Sequence, residues 1–313
     1  MRIAVIDMGT NTFHLILVEV ANDDFRIVFR EKVAVKIGEK GINHGMITDD
    51  AIERALKTLD HFKEIIEKEK ADQVFATATS AIRNAHNGND LVQKIKDQTG
   101  IETRIISGLQ EAEYIYYGVK KALPIGKMPA LIMDIGGGSI EFIIGTDSEI
   151  LWKQSFEIGG QRMVEKFQKS DPITNEQITS LKGYLEENLE ELFEACTTFH
   201  PKTLIGSSGT FDTLSDIYRL TNGIEKAKEE TEYPLTLEAF ELIYSDLLIK
   251  TRAQRLEIPG MIPLRVDMIV VACVLIDFII SQLSLENIRV SAYALKEGVL
   301  LSTLHSLKKE SAS

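Results

Sequence analysis

A strand, loop, strand pattern written twice constrains this chain more than any other feature. The first copy runs Ile3-Ala4-Val5-Ile6, then Asp7-Met8-Gly9-Thr10-Asn11-Thr12, then Phe13-His14-Leu15-Ile16-Leu17-Val18. The second runs Ala130-Leu131-Ile132-Met133, then Asp134-Ile135-Gly136-Gly137-Gly138-Ser139, then Ile140-Glu141-Phe142-Ile143-Ile144. In both, an aspartate ends an apolar run, a glycine follows two residues later and a hydroxyl five residues later. Short apolar runs bounded by Gly, Asn and Asp read as strands joined by a tight connection. Each copy alone also fits an ordinary hairpin turn, where Asp and Gly are common. The matched pair predicts two related halves whose loops do similar chemistry.

That chemistry reads as phosphate handling. A glycine-rich turn lets backbone N–H groups converge on an anion, because no Cβ blocks the approach. The hydroxyls of Thr12 and Ser139 and the amide of Asn11 add neutral donors. Asp7 and Asp134 would repel a phosphate they touched directly. A divalent cation, magnesium by default, is the natural intermediary.

A chain of 313 residues suits two domains of ordinary size. Its net charge of −12 argues against a broad nucleic-acid-binding face. A polyanion in a cleft stays compatible with that charge, since a few arginines and a cation reverse the field locally. Cys196 and Cys273 sit in no C-x-x-C pair and read as buried thiols. The most apolar run, residues 268–276, is bounded by Asp267 and Asp277 and is too short to span a bilayer. A buried helix is expected there. The N-terminus enters a strand at once, without a signal core, and the expectation is a cytoplasmic protein with no membrane partner.

Along the first half, a third strand is expected over residues 25–35 after a turn at Asn22-Asp23-Asp24. A helix follows from Thr48, with Ile52, Ala55, Leu56, Leu59, Phe62, Ile65 and Ile66 on one stripe. A strand at 73–78 opens onto Thr79-Ser80-Ala81-Ile82-Arg83, where Arg83 could clamp a phosphate bidentately or be a solvated helix arginine. Ser107 and Gln110 form a capping-box signature for the next helix. Glu111 lies in its first turn, where an acid also simply complements the helix dipole. The second half repeats the plan with strands at 130–134, 139–145 and 149–157, then one long helix over 175–198 capped by Thr174 and Gln177. A strand at 203–205 runs into Gly206-Ser207-Ser208-Gly209-Thr210 ahead of a helix. Strand, glycine-rich turn and helix N-terminus form an anion-binding arrangement, although such turns also carry glycine for steric reasons. The remainder reads as helical to Leu283, with a strand at 287–291 and a last helix from near Tyr293.

Taken in order, six segments resemble the exopolyphosphatase and guanosine pentaphosphate phosphohydrolase family, within the actin, hexokinase and chaperone-ATPase superfamily. They are Asp7-x-Gly9-x-Asn11-Thr12-x-His14, Ala78-Thr79-Ser80-Ala81-Ile82-Arg83, Ser107-Gly108-x-x-Glu111-Ala112, Asp134-Ile135-Gly136-Gly137-Gly138-Ser139-x-Glu141, Gly206-x-x-Gly209-Thr210 and Ser291-x-x-Ala294-Leu295-Lys296-Glu297-Gly298. The resemblance implies an α/β fold of two ribonuclease-H-like domains, residues 1–126 and 127–295, with mixed sheets flanked by helices. The active site would lie in the cleft between them, and the terminal helix, about 296–313, would pack back on the first domain. A hinge is expected near residues 124–129.

The family's catalytic carboxylate falls on Glu111, which would activate water for attack on a terminal phosphorus. The phosphate-binding set would be Asn11, Thr12, Gly137, Gly138, Ser139, Gly209 and Thr210, with Arg83 neutralising charge. Asp134, Glu141 and Asp7 would hold magnesium directly or through water. Glu141 lies two residues beyond Ser139 and so on the same face of its strand. Two departures, Lys296 where the family often shows arginine and the absence of glycine in 270–274, are expected to touch only the periphery. The implied substrate is inorganic polyphosphate, with guanosine pentaphosphate as the alternative. A nucleotide or alarmone sensor without turnover and a small-molecule kinase are the other classes, and Glu111, Asp134 and Glu141 favour a hydrolase over both. None of the six histidines is assigned to catalysis, and a homodimer is the default assembly.

Overall fold

The computed structural model describes residues 1–21, 24–227 and 229–312. The first half opens with β1 (Arg2–Met8), β2 (Phe13–Ala21) and β3 (Asp24–Val33). It continues through α1 (Asp49–Lys68), β4 (Gln73–Ala78), α2 (Ser80–Arg83), α3 (Gly88–Thr99), β5 (Thr103–Ile105) and α4 (Gly108–Ala122). The second half opens with β6 (Ala130–Ile135), β7 (Ile140–Gly145) and β8 (Ile150–Phe156), followed by α5 (Gly160–Phe167), α6 (Asn175–Asn188) and α7 (Glu190–Phe199). It ends with β9 (Thr203–Ser207), α8 (Ser208–Asn222), β10 (Glu232–Tyr233), α9 (Leu237–Ile249), α10 (Arg252–Leu256), α11 (Ile269–Leu283), β11 (Asn287–Ser291) and α12 (Leu295–Ala312).

The sheets run β3-β2-β1-β4-β5 and β10-β11-β9-β6-β7-β8. Read outward from the hairpins they share one plan. β1 pairs antiparallel with β2 and parallel with β4, as β6 pairs antiparallel with β7 and parallel with β9. Both hairpin strands are apolar on both faces because helices cover both sides of each sheet. Ala4 and Ile6 of β1 face the core beneath α1 and α3, while Ile3 and Val5 face a second core built on α4 and α12. That second core also takes Ala130 and Ile132 from β6 and Ile143 from β7. It therefore lies between the two sheets and fixes α4 at the junction.

Sequence patterning and structure part company at three places. The helix expected over 175–198 is two helices, broken at Leu189. Leu181, Leu185, Leu189 and Leu192 are all fully buried, so the apolar stripe runs through the break and hides it. The two-residue β10 is too short to leave a periodic signal, and the third strand stops at Val33. Of the turn expected at Asn22-Asp23-Asp24, the first two residues lie outside the described residues. The capping boxes at Ser107/Gln110 and Thr174/Gln177 both form, whereas Thr48 starts α1 without a side-chain bond. Residues 269–276 fall in α11, with Met268 at its N-cap, and the helix is apolar all round because α6 and α9 pack on it. Among the described residues no helix is long and apolar enough to cross a membrane.

Candidate active site

Asp7, next to last in β1, is in register with His14 of β2, and the Gly9 amide donates to the Thr12 carbonyl at 3.1 Å. Asp134 sits in register with Glu141 of β7, and the Gly136 amide donates to the Ser139 carbonyl at 3.1 Å. The two loops thus close with the same bond. They also touch: a Cβ on Gly138 would lie 2.6 Å from Thr10 Oγ1, and one on Gly137 would lie 3.0 Å from the Asn11 side chain.

The carbonyls of Gly136, Gly137 and Gly138 accept from the amides of Gly160, Gln161 and Gly159 at 2.9, 2.8 and 3.1 Å. A trans peptide points its C=O and N–H in opposite directions. With the carbonyls drawn toward the start of α5, the amides that follow them are turned the other way, into the pocket. Amides turned this way are the donors a glycine loop can offer an anion.

One pocket of about 100 Å³ gathers Asp7, Asn11, Thr12, Glu111, Asp134, Gly137, Gly138, Ser139, Glu141 and Gly209. Ten of the twelve residues singled out in the sequence therefore meet in one place. The other two do not line it. Thr210 is buried one residue deeper in α8. Arg83 stands behind Glu111, donating from Nη1 to Glu111 Oε2 at 2.8 Å and from Nη2 to Glu157 Oε1 at 2.9 Å.

Sequence reasoning missed other residues of the same pocket: Lys32, Asp212, Arg265 and, as a working residue, His14. Lys296, placed at the periphery by its mismatch to the family pattern, is instead part of the pocket wall. It arrives on the first turn of α12, and α12 lies against α4 so closely that a Cβ on Gly298 would fall 1.7 Å from the Tyr114 carbonyl. The same seam fixes Glu111 on α4. A Cβ on Gly209 would likewise lie 2.0 Å from Arg265 Nη2, so this glycine is what lets the guanidinium reach the pocket. β3 places Lys32 in register with His14.

The electrostatics are set by burial. Glu111 is 6% exposed, and desolvation pushes its pKa up despite the Arg83 guanidinium. Glu141 is pushed well up by burial and by the charge of Glu111, while Ser155 Oγ donates to it at 2.6 Å. Asp7 is raised to about 7, chiefly by burial. Asp134 is raised by burial and accepts from Ser207 Oγ at 2.7 Å. His14 is held well below 6.5 by burial and by Lys296, Lys32 and Arg265, which keeps it neutral. Its Nε2 lies 3.0 Å from Thr12 Oγ1.

The donor set fits a hydrated divalent cation. Five carboxylates (Asp7, Glu111, Asp134, Glu141 and Asp212) line the pocket against three side-chain cations (Lys32, Arg265 and Lys296). Asp7 Oδ1 and Asn11 Oδ1 are buried without a hydrogen-bond partner, a cost a native fold carries only where something else satisfies the oxygen. Among the described residues no group of three or more Asp, Glu, His or Cys side chains is placed to hold a metal ion by itself.

A family model described as the Ppx/GppA phosphatase family matches residues 16–307. Exopolyphosphatase 1 of Mycobacterium tuberculosis is 27% identical over 98% of this chain and 89% of its own length. The crystal structure of an exopolyphosphatase from Cytophaga hutchinsonii superposes with a TM-score of 0.95 at 45% identity, covering 98% of both chains. The Aquifex aeolicus member of the Ppx/GppA family gives 0.79 at 25% identity, again covering 98% of both. With nearly the whole chain matched by the model and by full-length structures, it belongs to the Ppx/GppA phosphatase family.

Proposed function

We propose that the chain is an exopolyphosphatase, releasing orthophosphate from the end of inorganic polyphosphate. The observation that carries this reading is the placement of Glu111. A desolvated carboxylate opens onto the same small pocket as the two glycine and hydroxyl loops, where a terminal phosphate would sit with water beside it. Polyphosphate is also what the mycobacterial and Cytophaga relatives are named for.

In this reading the amides after Gly136, Gly137 and Gly138, with Asn11, Thr12 and Ser139, hold the terminal phosphate. Glu111 takes a proton from water as its oxygen attacks the phosphorus. The bridging P–O bond breaks, the shortened chain leaves with that oxygen, and orthophosphate is released. Arg83 fixes the Glu111 carboxylate through the 2.8 Å bond, and Lys296 and Arg265 offset charge on the leaving chain. The protein's share in such a displacement is positioning and charge stabilisation. Asp7, Asp134 and Glu141 would hold a magnesium-type cation, which supplies charge neutralisation to the phosphate oxygens. Glu111→Gln is expected to lower kcat by about 10²–10⁴, read as phosphate release from polyphosphate with magnesium. Release at the wild-type rate would remove Glu111 as the base.

One observation favours a second substrate, guanosine pentaphosphate. A larger, open cavity of about 900 Å³ is lined by Asp216, Leu220, Ile224, Met261 and Ile262. Asp216 lies one turn along α8 from Asp212 of the phosphate pocket. Comparing kcat/KM for polyphosphate and guanosine pentaphosphate decides between them.

A further inference from the structure

We propose that Ser80, Arg83 and Arg162 form a second phosphate subsite at the mouth of the cleft, occupied in the free protein by the carboxylate of Glu157, which an incoming phosphate chain displaces. The inference rests on the polyphosphate reading. Its basis is a set of donors gathered on one acid. Ser80 Oγ donates to Glu157 Oε2 at 2.5 Å, Arg83 Nη2 to Oε1 at 2.9 Å, and Arg162 Nη2 to Oε2 at 3.3 Å. Two guanidiniums and a hydroxyl around one anion are the equipment of a phosphate site. Burial raises the Glu157 pKa, but the bonds from Ser80, Arg83 and Asn84 and the Arg83 charge bring it below its ordinary value, so the acid stays charged.

The exposures show which partner is built in and which is exchangeable. The side chains of Arg83 and Arg162 are 15% and 12% exposed, whereas that of Glu157 is 39% exposed. Neither arginine depends on Glu157 for its place. Arg83 keeps Glu111 and the Ile106 carbonyl, at 2.8 and 3.1 Å. Arg162 keeps the Gly138 and Ile42 carbonyls, at 2.8 and 2.9 Å. Glu157 alone would move.

The nest also adjoins the catalytic pocket. Arg162 Nε binds the carbonyl of Gly138, a cradle residue, and a Cβ on Gly138 would lie 2.5 Å from Ser80 Oγ. On its outer side a cavity of about 190 Å³, lined by Arg83, Ser107, Gly108, Gln154, Ser155 and Glu157, opens toward solvent. A chain with its terminal phosphate in the cradle would therefore pass over Glu157 on its way out. Ser80 and Arg83 come from the first half and Arg162 and Glu157 from the second, so the displaced carboxylate also spans the cleft.

Glu157→Gln keeps the side chain's shape and removes the competing charge. Titration calorimetry with metal-free tripolyphosphate is expected to show about tenfold tighter binding in E157Q than in the wild type. Adding Arg162→Gln to that variant is expected to cancel the gain. Unchanged or weaker binding in E157Q would overturn the proposal and leave Glu157 as a fixed partner of the two arginines that no phosphate displaces. Should the Gln variant not fold, Glu157→Asp withdraws the charge by one methylene, and affinity no higher than wild type would overturn the proposal equally. Phosphate release by the wild type from tripolyphosphate, with magnesium restored, is measured alongside. Its absence would defeat the polyphosphate reading while the binding comparison still judges the subsite.

Discussion

The two hairpins can be compared strand by strand, because each places its aspartate in a row that crosses its sheet. In the first half the row is Lys32, His14, Asp7 and Thr77 on β3, β2, β1 and β4. In the second it is Ser155, Glu141, Asp134 and Ser207 on β8, β7, β6 and β9. Residues in register stand on one face of a sheet, so each row points as a unit. The aspartate and the hydroxyl beside it are kept; what differs is the far side. The first row sets a neutral imidazole and a lysine beside its acid, and the second sets a second carboxylate held by a serine. The duplicated backbone therefore carries two unlike rows, one mixing its acid with an imidazole and a lysine, the other pairing two carboxylates.

If that division is right, the equivalent positions respond unequally. Glu141→Gln is expected to cost about 10³ in kcat, the loss typical of removing one preorganised charge from a reacting centre. His14→Gln, at the matching place in the other row, should cost about tenfold or less, since it leaves a neutral side chain neutral. Initial rates of phosphate release measure both, and equal losses would erase the distinction. Lys296→Met sharpens the same contrast from the anion side. Losing one charged hydrogen-bond donor to phosphate is expected to raise KM by about ten- to a hundredfold, with a smaller change in kcat. A change confined to kcat would instead place the lysine on charge that develops during reaction.

The rows explain what sequence could and could not disclose. The hairpins were legible because glycine, hydroxyl and aspartate recur at fixed spacing between apolar runs, and the plan of two related mixed sheets followed from them. Lys32, Arg265 and Lys296 carry no such mark. They reach the pocket from β3, from the segment before α11 and from the start of α12, and only the folding of distant segments brings them together. Lys296 shows the hazard of reading a mismatch as peripheral. Its position is dictated by the Gly298 and Tyr114 contact, which no local pattern reveals. Arg83 was legible as a cation, but its sharing between Glu111 and Glu157 depends on cleft geometry. The break at Leu189 was hidden for the opposite reason, a burial pattern too regular to betray it.

The smallest effect expected concerns stability, and it separates the rows by sign. A carboxyl whose folded pKa lies above its unfolded value binds its proton more tightly when folded. Its stabilising contribution is complete below the unfolded pKa and is lost as pH rises through the folded one. Asp7, raised from 3.8 to about 7, and Asp212, raised from 3.8 to about 6, behave so, and burial pushes Asp134 and Glu141 the same way. His14 acts in reverse, because its lowered pKa costs stability as pH falls below 6.5. The first row therefore cancels part of its own dependence, while the second row adds. In metal-free protein the thermal midpoint is expected to drop by several degrees between pH 5 and pH 8. Glu141→Gln should flatten that drop more than His14→Gln does, and the latter should instead raise stability on the acid side. Magnesium held by the ionised acids of the folded state, as proposed, should lift the midpoint more at pH 8 than at pH 5. A lift independent of pH would mean that the ion does not bind at these rows, and the assignment of the second hairpin to the cation would fall with it.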